Sequence, residues 1–273
     1  MTFSQAPVPT DFPTPAPASV SWRTLGVSVR GSSHEKTGQP CQDVVLWRTL
    51  RDGILLAAVA DGAGSAALSE MGAALAAAAA LDFLESRLKG GELPASDEDW
   101  RLLLKSAAAQ ARESVVAEAG RRSQPARDFA STLLLLIATP DLAAALQIGD
   151  GAALVSDGPD ALAPMIRPAA SEYLNETTFL TSENAVESAA IEIRRGVVRR
   201  IALFTDGLQM LALKMPSYEA HPPFFAPLFR FLEAAPDLTE AREQLKVFLN
   251  SPRIRQRADD DLTLFLAMRG EGG

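Results

Sequence analysis

The stretch VVLWRTLRDGILLAAVADG, residues 44–62, decides the fold class of this 273-residue chain. Two apolar segments, Val44 to Leu50 and Ile54 to Ala60, flank Asp52-Gly53. An Asp-Gly pair between two such segments is a strong signal for a tight β-hairpin. Asp61 follows the second segment directly, and Gly62 comes next. The stretch therefore predicts an antiparallel β opening that ends on a carboxylate.

Helices and strands arrive in groups after this hairpin. Long helices are predicted from Ala66 to Leu88 and from Asp97 to Arg121, because apolar residues recur there at helical spacing. Beyond Phe129, short apolar segments separated by Gly, Pro and Asp predict strands. These strands are Ser131 to Ala138, Ala143 to Ile148, Ala152 to Ser156, Leu162 to Arg167, Ala189 to Arg194, Val197 to Thr205 and Leu262 to Met268. Shorter helices are predicted at Leu208 to Leu213, Phe224 to Ala234 and Thr239 to Leu249.

This grouping indicates an α+β fold, since a parallel α/β sheet would need strands and helices to alternate regularly. We expect two antiparallel β-sheets packed as a sandwich and flanked by helices, a four-layer αββα arrangement. No interdomain linker is recognisable between residues 21 and 270, so this range is expected to form one domain. Residues 1–20 are Pro-rich, with neither a basic start nor an apolar stretch, and are expected to be a disordered tail.

The composition of the chain argues against several classes of protein. With 47% hydrophobic residues the chain can bury a large core, and its formal charge of −8 argues against nucleic-acid binding. The single cysteine, Cys41, excludes an internal disulfide framework and a zinc site built on cysteines. The longest uncharged apolar run, between Glu70 and Asp82, is shorter than the roughly 20 residues that a membrane span needs. We expect a cytoplasmic protein with no nucleic-acid and no membrane partner.

Five aspartates lie at or beside the ends of apolar runs: Asp43, Asp61, Asp150, Asp206 and Asp260. Carboxylates gathered in one place repel each other unless cations neutralise them. Magnesium and manganese are hard cations that take carboxylate, carbonyl and water oxygens. Two such ions about 3.5–4 Å apart can activate a bridging water for attack on phosphorus, so no nucleophilic side chain is required. The pattern is therefore typical of a metal-dependent hydrolase.

The order and context of these segments resemble the metal-dependent protein phosphatases of type 2C, serine/threonine phosphatases with a two-metal site. The resemblance extends roughly from Arg23 to Arg269. Six segments carry it, each in the family's order: Gly26 to Asp43, Val59 to Ser65, Ser131 to Leu133, Gln147 to Ala153, Leu203 to Leu208 and Asp260 to Thr263. Any one of these segments is a weak signal, but together they are specific.

The resemblance implies a ligand set by position. Asp61 would bridge both metals, and the Gly62 carbonyl would bind one of them. Asp206 and Asp260 would complete the other site, and Asp43 would contribute directly or through water. Asp150, with Asp206, would hold a third ion.

The implied cofactors are therefore two or three manganese or magnesium ions. The implied reaction is hydrolysis of phosphoserine and phosphothreonine in proteins by a water that bridges two of these ions. A phosphorylated protein substrate, and a cognate kinase or its targets, would be the partners of such a signalling enzyme.

The chain departs from the family pattern at the substrate phosphate. The family commonly has an arginine before the opening acidic pair, whereas this chain has His34, which is either a phosphate contact or a surface loop histidine. Arg30 is a competing candidate for the phosphate. Gln42 stands where the family often has glutamate, and Asp261 replaces an asparagine and is expected to be a solvated or hydrogen-bonding neighbour of the site. Asp150 is either the third-ion ligand or part of a tight hairpin turn.

Two rival functions follow from the same residues. The missing arginine suggests a catalytically weak phosphatase-like module that binds phosphoproteins or a regulatory complex, although carboxylates retained without metals would repel each other to no purpose. Gly62 to Ala67 also fits a Gly-x-Gly-x-x-Ala dinucleotide fingerprint. That motif needs an acidic residue at the end of a second parallel strand about 20 residues on, but Asp82 falls within a predicted helix, so an oxidoreductase is disfavoured.

Overall fold

The computed structural model describes residues 21–90, 92–158, 162–166 and 177–270. The tail expected at residues 1–20 lies outside the described residues. Most strands form two five-stranded antiparallel sheets. Sheet I contains, in spatial order, β1 (Trp22–Val29), β12 (Leu262–Arg269), β9 (Arg200–Phe204), β6 (Ala152–Ser156) and β7 (Ala163–Pro164). Sheet II contains β2 (Val44–Thr49), β3 (Leu55–Ala60), β4 (Leu133–Ala138), β5 (Leu142–Ile148) and β8 (Ala190–Arg195).

The remaining elements are helices and one small strand pair. The strand pair is β10 (Leu213–Lys214) with β11 (Glu219–Ala220). The helices are α1 (Ser32–Thr37), α2 (Ser69–Leu88), α3 (Asp97–Arg121), α4 (Gln209–Ala212), α5 (Pro222–Ala234), α6 (Leu238–Leu249) and α7 (Pro252–Arg255). Within the described ranges, none of these helices is both long enough and apolar enough to span a membrane.

Three apolar clusters define the layers. The cluster between the two sheets includes Leu55, Leu136, Leu203 and Phe265. Helices α2 and α3 cover the outer face of sheet II, and α5 and α6 cover the outer face of sheet I. The expected four-layer αββα sandwich is therefore confirmed. Strands β3 and β4 are apolar throughout because both faces of each strand are buried.

The first hairpin and the second long helix agree closely with the predictions. Strands β2 and β3 pair from Val44 with Ala60 to Thr49 with Leu55, across a short 3₁₀ turn at Arg51–Gly53. Helix α3 spans Asp97–Arg121 as predicted, because Ser96 and Asp99 form a capping box at its N-terminus. Helix α2 begins three residues later than predicted, since Leu68 first donates its backbone N–H to the Asp128 carbonyl.

Neighbours in sequence are not always neighbours in a sheet. Strand β5 lies in sheet II and β6 lies in sheet I, so Gly149-Asp150-Gly151 carries the chain from one sheet to the other. The alternative interpretation of Asp150 as part of a tight hairpin turn is therefore wrong. Short elements α1, α7, β10 and β11 were not predicted, because pieces of two to six residues carry little periodicity.

Candidate metal centre

The antiparallel registers bring the five aspartates to one end of both sheets. Val44, directly after Asp43, pairs with Ala60, directly before Asp61. In sheet I, Phe204 pairs with both Leu264 and Ala152, so the segments that carry Asp206, Asp260 and Asp150 also meet. Residues that are more than 200 positions apart in the chain are thereby brought together.

A cleft of about 160 Å³ opens at this end of the molecule. Asp61, Asp150, Asp206 and Asp260 line it together with His34 and Gly62. One carboxylate oxygen from each of Asp61, Asp150 and Asp206 lies within 4.8 Å of the other two. A second group with the same spacing is formed by His34, Asp260 and Asp261. Asp43 lies behind the lining and is buried.

Burial and the charges of neighbouring carboxylates raise the pKa values of three of these carboxyl groups. Burial is the main cause that raises the pKa of Asp61, and the charges of Asp43, Asp206 and Asp260 add to it. The pKa of Asp43 is raised by burial in the same way, and that of Asp206 is raised by burial and by the charge of Asp150. Such groups cannot all be ionised at neutral pH without a compensating positive charge.

Two oxygens of the cluster are buried and unsatisfied. Asp43 Oδ1 and Asp206 Oδ1 have no hydrogen-bond partner among the described residues. A buried acceptor without a partner is costly, and a bound cation would satisfy it. The oxygen-only donor set also matches the preference of magnesium and manganese. The residues present therefore fit divalent ions.

Threonines hold the carboxylates in place. Thr205 Oγ1 donates to Asp43 Oδ2 at 2.7 Å, and Thr177 Oγ1 donates to Asp150 Oδ2 at 2.8 Å. The backbone of Asp61 is fixed by Thr132, whose Oγ1 accepts from the Asp61 N–H at 2.9 Å and whose N–H donates to the Asp61 carbonyl at 2.7 Å. Thr205 and Thr177 each bond one carboxylate oxygen, and Thr132 bonds only backbone atoms of Asp61, so none of these threonines occupies a second carboxylate oxygen of its aspartate. The family resemblance includes the segments that contain Thr132 and Thr205, but no sequence signal predicted their contacts with the aspartates or any role for Thr177.

Asp261 supports the site from behind. Its side chain is only 2% exposed, and its two oxygens accept from the backbone N–H groups of Gly31 and Gln42, both at 2.6 Å. It thus fixes Gly31, at the N-terminus of α1, and the segment that carries Asp43. Of the two roles expected for Asp261, the hydrogen-bonding neighbour is the one observed.

The two phosphate candidates lie in different environments. His34 is only 8% exposed and lines the cleft, so it is not a surface loop histidine. Its Nδ1 lies 2.9 Å from Asp261 Oδ2, and its Nε2 lies 3.9 Å from Asp260 Oδ1. Arg30 does not line the cleft, and its guanidinium donates to the Gln39 carbonyl at 3.3 Å.

Comparisons with known proteins agree with this arrangement. Residues 30–250 match the sequence model of the family described as Protein phosphatase 2C. The chain is also 39% identical over 258 residues to Serine/threonine-protein phosphatase 3 of Escherichia coli strain K12, a match that covers 92% of this chain and all of that protein. The chain belongs to the protein phosphatase 2C family. This confirms the family resemblance seen in the sequence.

Solved structures share the fold of this protein phosphatase 2C member. Serine/threonine phosphatase Stp1 from Staphylococcus aureus superposes with a TM-score of 0.61 at 14% identity, covering 91% of this chain and 95% of that one. The catalytic domain of PstP, solved in complex with two manganese ions, gives a TM-score of 0.59 at 20% identity, covering 93% of this chain and all of that one.

Proposed function

We propose that this chain hydrolyses phosphoserine and phosphothreonine in proteins with the help of divalent metal ions, and that residues 21–270 form the catalytic domain. The observation that carries the proposal is the convergence of Asp61, Asp150 and Asp206 in one cleft, with their oxygens within 4.8 Å of one another. The names of the Escherichia coli and Staphylococcus aureus relatives support the same activity.

The metal ligands proposed here are Asp43, Asp61, Asp206, Asp260 and the backbone carbonyl of Gly62. Asp61 would be shared by two manganese or magnesium ions, and Asp150 together with Asp206 would serve a third. The two manganese ions in the PstP complex support the pair of ions that would share Asp61. When bound, the ions supply Lewis-acid activation of water and neutralisation of the phosphate oxygens. The chain contributes by holding these residues in place. Thr205 and Thr177 hold the carboxylates of Asp43 and Asp150, and Thr132 holds the backbone of Asp61, which limits the reorganisation needed when the ions bind.

His34 is the proposed contact for the substrate phosphate. It lines the same cleft as Asp61 and Asp206, and an imidazole N–H can donate to a phosphate oxygen. Arg30 is the weaker candidate, because its guanidinium lies outside the lining and already donates to Gln39. A phosphate dianion would enter a cleft lined by four carboxylates only when cations offset their charge. Substrate binding should therefore depend on metal binding.

We further propose that the substrates are proteins phosphorylated by a cognate kinase in the cytoplasm. The single free cysteine, Cys41, is compatible with that reducing compartment, and burial raises the pKa of its thiol, which keeps it unreactive. The rival proposal, a phosphoprotein-binding module without turnover, is favoured only by the histidine that stands in place of the family's arginine.

Hydrolysis assays with matched aspartate variants test the proposed activity. A phosphothreonine peptide should be hydrolysed with manganese and not with EDTA, and Asp61→Asn or Asp206→Asn should lower kcat/KM at least about 100-fold, since the metals supply several kcal/mol of transition-state stabilisation. Asp52→Asn is the matched control, because Asp52 is also followed by glycine but lies in an exposed turn. Metal binding without turnover on any phosphopeptide would instead support the binding module.

A further inference from the structure

A second cavity lies in the helical layer over sheet I. Its volume is about 510 Å³, and it is formed by α5, α6, α7 and the end of α4. None of its lining residues lines the metal cleft. Its floor consists of buried aliphatic side chains that belong to the core, namely Leu211, Leu228, Leu245 and Ile254. The cavity is therefore a separate, well-supported site.

Aromatic side chains form much of the cavity wall. Phe224, Phe231 and Phe248 all line it, and Phe248 remains 38% exposed. The ring of Phe224 is fixed edge-on against the buried Phe225, with the ring centroids 5.1 Å apart. An apolar wall open to water would be stabilised by an apolar occupant.

The polar residues at this cavity are cationic or neutral. Arg253 and Arg257 line it together with His221 and Gln244, and none of the lining residues is acidic, although the whole chain has a formal charge of −8. Both arginines are exposed, and within the described residues neither forms an ion pair. Arg255, which lies between them in sequence, is used differently, because its guanidinium binds the Glu35 carboxylate at 2.7 Å. Two guanidinium groups are thus left available for an anion.

We propose that this cavity binds a small amphipathic carboxylate, with its aliphatic chain against the phenylalanines and its carboxylate on Arg253 and Arg257. The volume falls in the range of about 300–1,000 Å³ that is typical of small-molecule sites. Apolar walls with a few convergent polar groups are also typical of such sites. The planar fork of an arginine matches a carboxylate.

Titration calorimetry with decanoate as the probe tests the proposal on the full chain, and it does not depend on phosphatase turnover. We expect saturable binding at one site, and binding of decanol, which lacks the charge, at least about tenfold weaker. The Arg253→Gln, Arg257→Gln double variant should bind decanoate at least about tenfold more weakly. Arg230→Gln is the matched control, because Arg230 is an exposed arginine of α5 outside the lining and its loss should leave the affinity unchanged.

Three results would overturn the proposal. The first is the absence of saturable decanoate binding, and the second is equal affinity for the double variant and the wild type while both show the same thermal unfolding. The third is a monomer–dimer equilibrium in sedimentation velocity that Phe248→Ser abolishes, since this would assign the cavity to a second copy of the chain. Phe248→Ser should fold, because the side chain is partly exposed.

Discussion

Asp259 and Asp261 are two residues apart but lie in opposite environments. Asp259 is exposed and contributes its backbone carbonyl, which accepts from the Ser33 N–H and the Ser33 hydroxyl. Asp261 is buried and contributes its carboxylate to the N–H groups of Gly31 and Gln42. The side chain matters at only one of these two positions, although the sequence shows three identical aspartates in a row.

Replacing Asp261 should therefore destabilise the protein, whereas replacing Asp259 should not. Asp261→Ala leaves two buried N–H groups without acceptors and should lower the free energy of unfolding by about 2–5 kcal/mol. Asp259→Ala should change it by less than about 0.5 kcal/mol, as is usual for surface positions. Urea unfolding of both variants in EDTA measures the difference. Equal free energies of unfolding would show that the Asp261 carboxylate does not stabilise the segments that contain Gly31 and Gln42.

At the residue scale, the carboxylates of the site could be predicted from the sequence, whereas the side chains that hold them could not. Asp43, Asp61, Asp206 and Asp260 could be selected because each stands at the end of an apolar run, and antiparallel pairing brings such ends together. Thr177 could not be assigned to Asp150, because that contact depends on how a connecting segment packs. The contact of Thr132 with Asp61 follows from the pairing of β3 with β4 in sheet II, and this strand pairing was not predicted. The environment of His34 depends on α1, a short helix without a clear sequence signal.

At the scale of elements, Gly72 lets α2 pack closely against a neighbouring backbone segment. A Cβ at Gly72 would lie 2.0 Å from the carbonyl oxygen of Phe129, so the helix and the 3₁₀ turn Ala126–Phe129 touch through backbone atoms. The turn leads directly into the segment that contains Thr132, which holds Asp61. Close packing of α2 thus contributes to the placement of the site.

Two glycine-to-alanine substitutions should have opposite effects on stability. Gly72→Ala should lower the free energy of unfolding by about 1–3 kcal/mol despite the higher helix propensity of alanine, because the methyl group overpacks the contact with Phe129. Gly120→Ala in α3 is the control, since nothing lies within 4 Å of its Cβ position, and it should stabilise the protein by about 0.4–1 kcal/mol. Thermal and urea unfolding check both; a stabilising Gly72→Ala would contradict the close contact.

At this scale, single elements could be predicted from the sequence better than the connections between the two sheets. The hairpin of β2 and β3 and the span of α3 followed from local signals, an Asp-Gly turn pair and apolar residues at helical spacing. The crossing from β5 to β6 did not, because Gly149-Asp150-Gly151 is locally compatible with a hairpin, and only the choice of sheet partners excludes it. The grouping of strands and helices indicated two antiparallel sheets covered by helices, but not which strands share a sheet.

At the scale of the whole molecule, the acidic cluster should make the free energy of unfolding depend on metal binding and on pH. Folding raises the pKa values of Asp43, Asp61 and Asp206 above their ordinary range near 4, mainly by burial. The metal-free folded chain therefore retains protons that the unfolded chain releases above about pH 4. Because the folded state then binds more protons than the unfolded state, the free energy of unfolding falls as the pH rises. The part of the stability that comes from these three groups is therefore present at acidic pH and is lost at higher pH.

The metal-free protein should consequently lose stability between about pH 5.5 and pH 8, and manganese should reverse the loss. Thermal unfolding in EDTA and in saturating manganese measures this, and the rise in Tm caused by manganese should be larger at the higher pH because the ligands must be deprotonated. In Asp61→Asn the dependence on pH in EDTA should be smaller than in the wild type. A rise in Tm that is equal at both pH values would contradict this coupling.

The most direct test of the central claim is anomalous diffraction at the manganese absorption edge from crystals soaked in manganese. We expect two strong anomalous peaks in contact with the Asp61 carboxylate, with Asp206 and Asp260 beside them. Peaks elsewhere on the molecule, or no peak in the cleft at a manganese concentration that stabilises the protein, would contradict it.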